Sequence, residues 1–219
     1  MYKSWWKILG AVLVTYSSLA GFLAPVPALP ILHQTIRNLY FHVPMWFCMI
    51  VLLSVSVWNS ILYLRNNKEE NDIKAVQSVN AGIIFGILGI VTGAIWARFT
   101  WSQFWSFDVK QNFAAIAMLL YFAYLILRNA IDEEQKRAKI SAIYNIFAFP
   151  MMVVLLFVLP RLSDSLHPGN GGNPGFNAYD LDSHMRMVFY PACAGWILIG
   201  YWIYTLLFRV SVLEKKNLL

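Results

Sequence analysis

The chemistry available to this 219-residue chain rests on a few histidines, one dense aromatic run and a nearby aspartate. His42 lies in RNLYFHVPMW and His167 in SDSLHPGNGGNPG. Between them, WARFTWSQFWSFD (96–108) gathers Trp96, Trp101 and Trp105 with Phe99, Phe104, Phe107, Arg98 and Asp108. Neutral imidazole is a good axial ligand for haem iron, and two imidazoles on opposite faces of a porphyrin must come from different parts of a chain, as these do. Aromatic faces suit the flat macrocycle, and its propionates suit a cation such as Arg37, Arg98, Lys110, Arg161 or Arg186. Zinc fits less well, because it takes three or four ligands and no closely spaced ligand pair is present. Tryptophans also form ordinary interfacial belts. Composition alone leaves belt and binding platform level for 96–108.

The elements that position these residues are membrane helices. The chain is 59% hydrophobic and only 13% charged, about half the charge of a soluble domain, which predicts an all-α integral membrane protein. Six apolar runs, about 5–26, 41–64, 76–96, 112–128, 140–160 and 187–208, are long enough to cross as helices, the form that satisfies the backbone in lipid. The first is read as a helix rather than a signal peptide, since no small-residue cleavage site precedes its Pro-rich exit. The whole chain, 1–219, reads as one six-span domain without a repeat. Cys48 and Cys193 fall inside apolar runs without a CxxC pattern and read as packing residues.

The charges predict an orientation. Twelve of the 17 Lys and Arg residues fall in the segments flanked by the chain termini and the 65–74 and 128–139 connections; five fall in the other set. The positive-inside rule then places both termini in the cytoplasm. The segment 96–111 and the loops 27–40 and 161–186 face outward, and with them His33, His42, His167 and His184. A stop at 96 and a restart near 112 would lay the tryptophan-rich loop along the surface. The net charge of +6 follows this topology and shows no basic face for nucleic acid. No nucleotide motif occurs, so any ATP must be hydrolysed by a partner.

WARFTWSQFWSFD resembles the tryptophan-rich "WWD" motif, roughly WGxxxWxxxWxWD, of the haem-handling proteins of cytochrome c biogenesis. RNLYFHVP (37–44) resembles that family's R-I-x-Y-x-H-V-P signature, and Ser165-Leu166-His167 its T/S-L-H. Length and span number resemble the short haem exporter C branch. Ala97 departs from a common Gly, and Phe107 from the final Trp, which keeps a π-face but loses an N–H donor. The resemblance implies haem b held on the extracytoplasmic face of a bacterial inner membrane, facing the periplasm. His42 and His167 would be its iron ligands, with His184 in reserve. Trp96, Trp101, Trp105 and Phe107 would form the shelf, with Arg37 and Arg98 at the propionates. Asp108 reads either as an orienting group for a ligand or as a helix N-cap. The implied partners are a membrane-anchored haem chaperone, an ABC-type ATPase and permease, and a small single-span subunit. Transfer without catalysis is the expectation. A cytochrome c synthetase core, a haem transporter subunit and a haem-b electron carrier are the competing readings. The Gly- and Asn-rich stretch 168–175 is expected to move, to admit or release haem or to dock the chaperone.

Overall fold

The structure, a computed structural model, describes residues 4–29, 32–167 and 181–217. Among these, six helices are long and apolar enough to cross a membrane. They are α1 (Trp5–Leu23), α2 (Leu39–Asn66), α3 (Glu69–Trp101), α4 (Val109–Asn129), α5 (Glu134–Val153) and α6 (Ser183–Asn217). No strand occurs among the described residues, and the protein is an all-helical, multi-pass membrane protein. The stretch 168–175 lies outside the described residues.

Each helix begins and ends for local reasons. A 3-10 turn, His33–Asn38, leads directly into α2, and Asn67 closes α2 in the left-handed region with φ 52°. Asn66 Oδ1 accepts from Lys68 N and Asn71 Nδ2, so the α2–α3 connection is two residues long. Helix α3 overruns its expected end at 96 and continues to Trp101, where Ser102 turns left-handed at φ 63°. Arg98 donates to Ser102 O at 2.6 Å and satisfies a terminal carbonyl there. The tryptophan motif is therefore half helix and half loop, rather than a segment laid along the surface. Helix α5 carries Pro150 and passes into a π turn, Val154–Val158, then a 3-10 turn, Leu159–Arg161. A π turn adds one residue to the local repeat and shifts the side chains that follow.

Helix α2 sits at the centre, packed on α3, α5 and α6, while α1 lies antiparallel along α6. Small residues permit the close approaches, as expected where lipid removes the hydrophobic drive between helices. Buried polar side chains then tie helices together. Ser56 Oγ donates to Ala75 O, Ser78 Oγ to Leu52 O, and Asn145 Nδ2 to Ser56 and Ser60. Charge is not excluded from the helix bundle: Arg128 at the end of α4 makes a bidentate pair with Asp72 at the start of α3, at 2.8 and 2.5 Å. Lys215 of α6 reaches Glu69 and Glu134 at the same end.

Candidate functional site

At the opposite end of the bundle, a cavity of about 290 Å³ opens among α2, α3, the start of α4, the turns after α5, and His167. Both His42 and His167 line it, although 124 positions separate them in sequence. The 3-10 turn and α2 deliver His42, and the segment after Arg161 delivers His167.

The His42 ring is locked by neighbours that fix its tautomer. Its Nδ1 lies 3.1 Å from Thr92 Oγ1, and Thr92 spends its own hydroxyl proton on Leu88 O at 2.7 Å. Thr92 therefore accepts from Nδ1–H, and the ring's lone pair sits on Nε2. Trp46, one turn further along α2, donates its indole N–H to that Nε2 at 3.3 Å. Space for the two rings comes from α3. A Cβ at Gly93 would lie 2.7 Å from His42 Cε1, and one at Gly89 the same distance from Trp46 Cε2.

His167 is fixed by Asp108. Its Nδ1 lies 2.8 Å from Asp108 Oδ1. A carboxylate only accepts, so Nδ1 carries the proton and, in the neutral ring, Nε2 holds the lone pair. Asp108 also accepts from Ser165 Oγ at 3.0 Å, Leu166 N at 2.7 Å and Lys110 N at 2.9 Å. It thus caps α4 and fixes the His167 ring with one side chain. Burial acts to raise the Asp108 carboxyl, but the bonds from His167 and Leu166 outweigh it and hold the group well below the usual carboxylate range.

Aromatic rings complete the His167 setting. Trp101 meets it edge-on at 4.7 Å between centroids, Trp96 lies at 5.5 Å, and the two indoles pack against each other at 4.8 Å. Trp105 lines the cavity from the loop and donates to Asn112 Oδ1 at 3.2 Å. Gln111 holds the same loop by accepting from Ser106 N and Oγ, and by donating to Phe104 O. The loop that the motif requires is pinned by the two residues that follow Lys110.

The remaining expected residues fall elsewhere. Phe107 has a left-handed backbone, φ 57°, and is 78% exposed; its ring does not line the cavity. Arg37 donates to Gly21 O and Ala24 O and to Gln34, which ties the end of α1 to the 3-10 turn. Arg98 caps α3, as above. The cations that line the cavity are Lys110 and Arg161. His33 and the reserve residue His184 are exposed and lie outside the lining. Sequence reading missed Trp46, Thr92, Gly89 and Gly93. HVPMW does show Trp46 four residues after His42, but their joint role depends on the α2–α3 register.

The sequence matches the family described as "Heme exporter protein C" over residues 1–218. The Heme exporter protein C of Paracoccus denitrificans is 22% identical over 170 residues, which cover 75% of this chain and 68% of that protein. Its counterpart from Rhodobacter capsulatus is 21% identical over the same shares. The Cytochrome c biogenesis protein CcsA of Prochlorococcus marinus is 36% identical over 101 residues, 46% of this chain. The chain matches only 31% of that longer relative.

Proposed function

As the chain belongs to the heme exporter protein C family, we propose that it receives haem b in the cavity between His42 and His167 and presents it to a recipient at the same face. Its role in haem handling for cytochrome c maturation follows from the family. One observation carries the finer reading. Two imidazoles from distant parts of the chain line one cavity, each with Nδ1–H anchored and its Nε2 lone pair directed away from that anchor. Histidines that ligate metals commonly donate their other ring N–H in this way.

The lining suits the cargo. It is mostly apolar, with Trp96 and Trp105 in its wall and Lys110 and Arg161 as the partners for propionates. Lys110 and Arg161 take that role in preference to Arg37 and Arg98, which lie outside the lining. A volume of about 290 Å³ falls just below the usual span of small-molecule pockets, roughly 300–1,000 Å³. Such a cavity grips part of a large flat ligand and leaves an edge for a recipient. Phe99, Phe104 and Phe107 of the same tryptophan-rich segment are 76%, 58% and 78% accessible and offer a recipient an apolar surface. His167 binds, Asp108 orients it, and the tryptophans exclude water from both.

In this reading the face lies in the periplasm, on an inner membrane. An ABC-type ATPase and permease supply energy, a membrane-anchored chaperone accepts haem, and a small single-span subunit assists. The test is an optical spectrum of the haem-loaded protein beside His42→Ala and His167→Ala. Bis-histidine ligation gives a six-coordinate low-spin Soret band that either substitution shifts and weakens. Spectra unchanged in both variants would sink the assignment.

A further inference from the structure

The lone pair that this reading assigns to iron is already in use. Trp46 Nε1–H donates to His42 Nε2 at 3.3 Å, and Thr92 holds the opposite nitrogen. An imidazole nitrogen offers one in-plane lone pair, so the indole proton and an iron atom are mutually exclusive at Nε2. Neither ring has an easy alternative position. Both lie against glycines of α3, where even one added carbon would come within 2.7 Å. His42 cannot turn its other nitrogen inward without giving up Thr92.

From this we infer that Trp46 is a positioning residue that competes with haem iron for His42 and so keeps the His42–iron bond exchangeable. The inference rests on His42 being a haem ligand. When iron binds, the indole N–H must give up its acceptor inside a mostly apolar cavity. When iron leaves, the indole takes the lone pair back. The N–H therefore stabilises the protein after transfer and opposes retention before it. A transfer protein benefits from that direction of bias, since a ligand set with no competitor holds its cargo. The pair also preserves the ligand's geometry between cycles, because His42 stays in one rotamer and one tautomer under the hold of Thr92 and Trp46.

The experiment measures haem transfer from the full-length, haemin-loaded protein in detergent to apomyoglobin by stopped flow. Trp46→Phe removes the N–H and keeps a flat ring. A second variant, benzothienylalanine incorporated at 46, replaces N–H by sulfur at nearly unchanged shape and guards against a packing artefact. Loss of one hydrogen bond of ordinary net strength predicts roughly 3- to 10-fold slower transfer in both variants, with the six-coordinate spectrum retained. Wild-type or faster transfer in the benzothienylalanine protein overturns the inference. His42→Ala in the same assay separates the two levels. An unchanged His42→Ala spectrum removes the ligand assignment itself, whereas a changed one beside wild-type transfer from both Trp46 variants removes only the competitor.

Discussion

Asp108 accepts four hydrogen bonds from four residues: Lys110, Ser165, Leu166 and His167. Replacing it by Asn keeps one acceptor oxygen and puts an NH₂ where donors already point. Asp108→Asn should therefore unfold at lower temperature and lose the His167 contribution to the haem spectrum. The pH dependence has a definite sign. The folded carboxyl sits below its ordinary value, so the unfolded chain binds the extra proton as acid is added. The stability gap between wild type and Asp108→Asn is then full above about pH 5 and narrows only as pH falls below about 3.9. Thermal unfolding at a series of pH values checks this; a gap that widens in acid would refute it. At this scale the sequence was uneven. The two histidines and Asp108 stood out because imidazole and carboxylate are chemically unusual beside apolar spans. Trp46 did not, since an aromatic residue in a membrane helix has an ordinary explanation, and only the neighbouring helix shows what its N–H meets.

The α2–α3 pair is the element that shapes the His42 side of the site. Ala is a better helix former than Gly by about 1 kcal/mol, so propensity alone favours Gly93→Ala. The added Cβ, however, would sit 2.7 Å from His42 Cε1. The variant is expected to keep its fold while its Soret band moves toward that of His42→Ala. An unchanged spectrum would mean that α3 does not confine the ring. Helix existence was legible from apolar runs, since hydropathy is the first-order signal in a membrane. Helix ends were less so. The apolar run of α3 stops at 96 because Arg98 lowers the hydropathy, yet the backbone continues to Trp101 and Arg98 itself caps the end. The π turn at Val154–Val158, which precedes the lining residues Pro160 and Arg161, leaves no mark in composition.

Over the whole molecule, the two ends differ in chemistry. One carries the Arg128–Asp72 pair and the Lys215 contacts, with the first residues of α1 and the last of α6; the other carries the cavity. On our reading the first end is the cytoplasmic one, as the charge asymmetry of the loops predicts. In intact cells, Gln103→Cys should react with a membrane-impermeant maleimide, and Glu133→Cys only after permeabilisation. Both positions are exposed, while Cys48 and Cys193 lie within α2 and α6 and give little background. The reverse labelling pattern would invert the topology. The number of spans was the most legible feature, because it depends on averages over many residues.

The length of α3 has one further consequence. Its 33 residues measure about 50 Å along the axis, against a hydrocarbon layer of about 30 Å. Tilt absorbs part of the excess, and the rest must project beyond the acyl chains. The Trp96–Trp101 turn, at one extremity of that rod, then rides in the headgroup layer, where dielectric and hydration change steeply over a few ångströms. If haem is handed over there, as proposed, a greasy, charged-edged cargo would pass between carriers without complete immersion in either oil or water. Bilayer thickness thereby becomes a variable of the hand-over: a thicker membrane would draw the turn inward, away from any carrier waiting in the aqueous phase.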